Sequence, residues 1–114
     1  MLAEHEKSTF SGNLLDEERL MYVAQMLKLM GHPLRIQILA MLEQTPELAA
    51  GTFHETLNEP QPTVSQHLNR MRLSGLLKIR KQGGQVLYSL RHSRALEVLH
   101  CVKAWEVPQK PSYH

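Results

Sequence analysis

The sequence predicts a mainly α-helical domain with one small β-hairpin, about five helices and two strands. Three observations carry this. Apolar residues recur at helical spacing in successive segments divided by Gly and Pro. Only one region, Leu77 to Leu90, alternates apolar and polar residues about a Gly-Gly turn. Hydrophobic residues make up 42% of the 114-residue chain but aromatics only 5%, so the core must be aliphatic, which suits helices.

After a polar tail over residues 1–12, the segment from about Leu14 to Met30 puts Leu20, Val23, Ala24, Leu27 and Met30 on one stripe and Tyr22, Met26 and Leu29 on a second. A helix apolar on two sides needs two surfaces, so a partner subunit is expected in addition to the core. Gly31 ends this helix. His32, as a cap, and Pro33 open a second one, whose buried face is Leu34, Ile38, Met41 and Leu42; proline's missing N–H costs nothing at a first helical position. Residues 45–51 read as a connector. Thr52 is placed to cap a short third helix, Phe53 to Leu57, with Glu55 completing a capping box.

Pro60 and Pro62 make 58–62 a tight turn. A fourth helix, Pro62 to Leu73, turns Val64, Leu68 and Met71 inward, leaves Thr63, Ser65, Gln66, Asn69, Arg70 and Arg72 outside or on its flanks, and stops at Gly75. In the hairpin, Leu77 and Ile79 alternate with Lys78 and Arg80, Gln82-Gly83-Gly84 turns the chain, and Val86, Tyr88 and Leu90 follow. A last helix, about Ser93 to Trp105, has a stripe of Ala95, Val98, Leu99, Val102 and Trp105 before Pro108 and Pro111. The domain is expected over 13–106, with 107–114 a second tail.

Composition narrows the function. The length suits one domain. The longest apolar runs fall short of a membrane span, and the acid-bearing N-terminus lacks the basic start and apolar centre of an export signal, so a cytoplasmic protein with no membrane partner is expected. A single cysteine, Cys101, excludes a disulfide within the chain and any site built on two of its thiolates. The net charge of +2 hides a segregation. Residues 1–59 carry nine acids against four bases, whereas the 37 residues from 60 to 96 carry seven bases and no acid. Such a field suits a polyanion, although a merely solvated basic surface would look the same.

A short helix, a tight turn and a helix that begins with polar side chains form a helix-turn-helix, and a basic hairpin directly after it makes the winged version. That order fits duplex DNA. Thr63, Ser65 and Gln66 can donate to and accept from base edges, while Lys78, Arg80 and Lys81 on the hairpin can hold sugar-phosphate backbone.

The stretch Gly31-His32-Pro33-Leu34-Arg35-Ile36-Gln37-Ile38-Leu39 resembles the helix opening of the ArsR family, the arsenic- and metal-responsive winged-helix repressors of bacteria. Gln61-Pro62-Thr63-Val64-Ser65-Gln66-His67-Leu68 with Leu73-Ser74-Gly75-Leu76-Leu77 is similar to its recognition segment, and Gly83 to Leu90 to the return strand of its wing. The resemblance spans about 14–105. It implies a homodimer built from the first and last helices, with Leu20, Tyr22, Met26, Leu99, Val102 and Trp105 at the interface. It also implies repression by operator binding; the expected DNA contacts are Gln61, Thr63, Ser65, Gln66, His67, Arg70, Lys78, Arg80 and Lys81, and a two-fold symmetric dimer calls for an inverted-repeat operator.

Departures from the family pattern bear on the signal. The thiol positions of the arsenic-type site fall on Ala49 and Gly51 and its acidic position on Thr52. The zinc-type positions of the last helix fall on His92, Arg94, Trp105 and Pro108, where only His92 is a candidate ligand. No metal or cofactor is expected, and the inducer is left open. Cys101 is a candidate redox thiol, although a small buried hydrophobe at a helix interface is the blander reading. His5, His32, His54, His67, His100 and His114 are scattered, and the six Met residues read as adaptable core. Two competing functions remain: the same fold binding RNA or a protein through its basic face, and a small His-dependent hydrolase, disfavoured because no nucleophile, base and acid recur at a useful spacing. A non-enzymatic DNA-binding regulator is the reading carried forward.

Overall fold

A computed structural model describes residues 12 and 14–109. Among these the order is α1 (Glu17–Met30), α2 (Pro33–Gln44), β1 (Glu47–Ala49), α3 (Ala50–Leu57), α4 (Gln61–Leu73), β2 (Leu77–Gln82), β3 (Gln85–Leu90) and α5 (Arg94–Lys103). The five helices and the hairpin are those expected, with several boundaries shifted. α1 starts at Glu17 because the Asp16 carboxylate accepts from the Arg19 N–H at 2.7 Å. α2 opens on His32, whose Nδ1 accepts from the Leu34 N–H at 3.1 Å.

The expected capping box does not form. α3 begins two residues before Thr52, on Ala49 with no side-chain cap, so Thr52 lies inside the helix. The stretch read as a connector supplies β1, which pairs antiparallel with β3 in the register Glu47↔Ser89, Leu48↔Tyr88, Ala49↔Leu87. The sheet therefore has three strands in the order β1-β3-β2. Chain entry from β1 directly into α3 sets the start of that helix, and local cap chemistry does not compete. β3, as the central strand, is half-buried along Val86 to Leu90. Gly83 and Gly84, at φ 55° and 81°, both take the left-handed conformation a two-residue hairpin turn of this kind requires.

The core sits where α2, α3, α4, α5 and the start of β2 meet: Ile38, Leu39, Leu42, Phe53, Val64, Leu68, Met71, Leu76, Leu77, Ala95 and Leu99 are buried. Apart from the small Ala95, each such side chain contributes about 1.5–3 kcal/mol through removal from water. The inward set expected for α4 is the observed one. Leu39 joins the core as well, while Met41 is only half-buried. Phe53 meets Tyr88 edge-on, with centroids 6.2 Å apart, which fixes α3 against the sheet.

The two outer helices depart most from expectation. α5 ends at Lys103, two residues short of Trp105, which is 70% exposed. Leu99, expected at a dimer face, is 2% exposed and belongs to the core, because Ala95 and Leu99 are the residues by which α5 seats on the rest of the chain. Cys101, for which a buried position was the blander reading, is exposed. Lys103 reaches back from α5 to form an ion pair with Glu43 of α2. α1 buries only Met30 fully. No helix among the described residues is long and apolar enough to cross a membrane.

Candidate nucleic-acid interface

α4 is anchored along one side and open along the other. Val64, Leu68 and Met71 recur at helical spacing and anchor one side of it in the core, which forces Ser65, Gln66, Asn69 and Arg70 onto the open side. Asn58, at φ 52°, ends α3 in the left-handed conformation that Asn tolerates, and Pro60 starts α4 two residues later. α4 begins at Gln61, one residue earlier than expected, with Pro62 in its first turn. Its N-terminal N–H groups carry no side-chain cap, so the positive end of the helix is left for an acceptor such as phosphate. Gln61 is exposed and Thr63 half-buried.

Beside α4 the hairpin carries Lys78, Arg80 and Lys81, all exposed. Arg80 is not free. Its Nε and Nη2 donate to the two carboxylate oxygens of Glu47 at 3.0 and 2.6 Å, a bidentate pair that crosses β3 from one sheet edge to the other. The hydrogen bond from Arg80 holds the Glu47 carboxyl below the ordinary carboxylate range, and the same bond raises Arg80. Any backbone contact by Arg80 must therefore compete with Glu47, which the sequence reading did not foresee. Arg72 is likewise occupied, donating to Asn69 at 2.7 Å.

His67, grouped with the base-facing residues, turns toward the body of the chain. Its Nδ1 accepts from Arg35 Nε at 3.1 Å, and its ring lies 4.3 Å from that of His32. Arg35 Nη1 also donates to the Leu29 carbonyl at 2.9 Å. One guanidinium thus joins the end of α1, the start of α2 and the middle of α4. Burial, followed by electrostatic repulsion from His32, Arg35 and Arg70, pushes the His67 imidazole below its ordinary value. Sequence reasoning missed Arg35 and Glu47 because each acts on a partner 32 or 33 positions away, beyond any local period.

The residues expected to meet a second copy lie on α1, on α5 and just past its end. Leu20, Tyr22 and Trp105 are exposed, Met26 and Val102 half-buried, and only Leu99 is withdrawn. Tyr22 is also the partner of Arg94, whose Nη1 donates to the phenol oxygen at 3.1 Å.

A helix-turn-helix whose second helix presents polar side chains, followed by a basic hairpin on a three-stranded sheet, defines a winged helix-turn-helix protein. Comparison with known proteins narrows this. A helix-turn-helix domain family matches residues 30–80, from the end of α1 into β2. The arsenical resistance operon repressor of Escherichia coli is 34% identical over 87 residues, which is 75% of this chain and 74% of that protein. Two solved structures are similar: the transcriptional repressor PagR of Bacillus anthracis, with TM-score 0.70, 32% identity and coverage of 76% and 99% of the two chains, and the transcriptional repressor BigR from Xylella fastidiosa, with TM-score 0.73, 29% identity and coverage of 82% and 94%. The chain belongs to the ArsR family of winged helix-turn-helix transcriptional regulators.

Proposed function

We propose that the chain is a homodimeric, sequence-specific repressor that binds an inverted-repeat DNA operator. The observation that carries this is the presentation of Ser65 and Gln66 on the open side of a helix locked in place by three buried residues, within a stretch of 37 residues, 60–96, without a carboxylate. Ser65 and Gln66 read base edges, Gln61 and Thr63 assist at the helix start, and Arg70, Lys78 and Lys81 hold backbone, joined by Arg80 once it leaves Glu47. His67 supports α4 from behind.

Dimerisation is supported by α1, on which Leu20 and Leu27 are each 51% exposed and Met21, Tyr22 and Val23 are exposed as well. An apolar surface of this kind needs a cover, and a second copy supplies one that is self-complementary. Two-fold symmetry then places the two α4 helices about one helical turn, ~34 Å, apart on the duplex. The signal that releases DNA is not zinc or arsenite at the family's standard positions, where Ala49, Gly51, Thr52, Arg94, Trp105 and Pro108 stand.

The test is selection of bound sequences from randomised duplexes by the purified chain. A palindromic consensus with half-sites one turn apart is expected. Recovery of no consensus, or preferential capture of RNA, would contradict the reading.

A further inference from the structure

Among the described residues two exposed cations are paired with carboxylates, Arg80 with Glu47 and Lys103 with Glu43. Of the cations that no carboxylate pairs, three share one hollow. Between α1, α2 and α4 lies a cavity of about 400 Å³ lined by Lys28, Arg35 and Arg70, one cation from each helix, with the polar side chains of Tyr22, Gln25 and Ser74. None of its lining residues is acidic. A second hollow shares Arg35, Arg70 and Ser74 and adds Gln66 and His67, so the basic cavity runs on to the base-facing side of α4.

Three cations around one hollow are mutually repulsive, and an ordinary solvated surface would let them splay apart. Arg35 cannot do so. It is half-buried and pinned by its bonds to the Leu29 carbonyl and to His67, both uncharged acceptors that leave its charge uncompensated. Its other N–H groups have no partner among the described residues. A guanidinium held in this way is pre-organised for the fork geometry of an oxyanion, and Lys28 and Arg70 can approach from the flanks. The uncharged state favoured for His67 fits the same field, since the imidazole sits beside Arg35 and Arg70 with no acid to offset them.

We propose that Lys28, Arg35 and Arg70, with hydroxyl and amide help from Tyr22, Gln25 and Ser74, form a binding site for a phosphate group. Two sources share that chemistry: a DNA backbone phosphate, which would extend the footprint of the chain onto α1, and a small free phosphate, which would act on α4 as an effector. The site stands whether or not the operator reading does, because it can be measured without DNA.

The experiment follows the His67 imidazole by NMR in the full-length chain while inorganic phosphate is added at constant ionic strength, with chloride as the control. A saturable shift at millimolar phosphate, accompanied by a rise in the His67 pKa, is expected. Lys28→Gln and Arg70→Gln should each weaken it several-fold, with sedimentation confirming an unchanged assembly state. No saturable shift, a shift equal in chloride, or a shift indifferent to both variants would overturn the proposal. DNA binding in phosphate-free buffer then separates the sources. If Lys28→Gln lowers the salt slope by about one unit, the phosphate is that of the backbone. If DNA affinity is unchanged in that buffer while the phosphate titration is lost, the site serves a free anion.

Discussion

His67 shows how one side chain can belong to two readings. By sequence it lies in the recognition segment, yet in the fold its Nδ1 accepts from Arg35, with His32 and Arg70 as the other nearby cationic or titratable groups. With Nδ1 accepting, the neutral ring carries its proton on Nε2; protonation at Nδ1 would remove the acceptor and add a charge where Arg35 and Arg70 already stand. Because the folded state depresses this pKa, the unfolded chain binds the proton more readily. The resulting stability is complete above the ordinary imidazole value of about 6.5 and is lost as pH falls through the lower folded value. Urea unfolding at about pH 7 and about pH 5 checks this: the wild type should lose more stability on acidification than His67→Asn, whose amide keeps an acceptor but does not titrate. An equal loss in both would show that His67 carries no part of the pH dependence.

The wing is the element in which an intramolecular pair stands against an intermolecular one. Glu47 on β1 holds Arg80 on β2 across the central strand, so the strand missed in the sequence is the one that restrains a predicted backbone contact. Removing the carboxylate should free the guanidinium and remove a repulsive charge. Glu47→Gln is thus expected to strengthen binding to any duplex a few-fold, and Arg80→Ala to weaken all duplexes alike and lower the salt slope by about one unit. Fluorescence anisotropy on cognate and random duplexes across a salt series reads both; weaker binding by Glu47→Gln would mean that the pair holds the wing in its binding position. The physical basis of what could be read is visible here. α4 was legible because Val64, Leu68 and Met71 fix its face, and the hairpin because Leu77, Ile79, Val86 and Tyr88 alternate about Gly83-Gly84. β1 was not, since three residues carry no period and its partner β3 lies some forty positions on. The burial of Leu99 and the exposure of Trp105 were hidden because a helical stripe does not tell which of its residues meets the core and which lies past the helix end.

At the scale of the whole molecule, two segregations coincide. The positive charge gathers in the α4–wing half of the sequence, while the uncovered apolar surface gathers on α1. That division suits a protein that binds itself with one part and a polyanion with another. Leu20→Glu with Leu27→Glu should therefore give a monomer by sedimentation with its helical circular dichroism intact, because neither residue is in the core, and should weaken operator binding far more than a wing substitution by dividing the two half-sites between separate molecules. A dimer that survives both changes would move the interface away from α1. Whether base edges are read by the first turns of α4 is decided by the affinity of wild type and Gln66→Ala for the selected operator and for a scrambled duplex in the same salt. Wild type is expected to prefer the operator by ~10³-fold or more. Gln66→Ala is expected to lose ~1–3 kcal/mol on the operator, with preference relaxed at one base position per half-site and scrambled binding unchanged. Equal losses on both duplexes, or no preference in the wild type, would contradict base reading by α4.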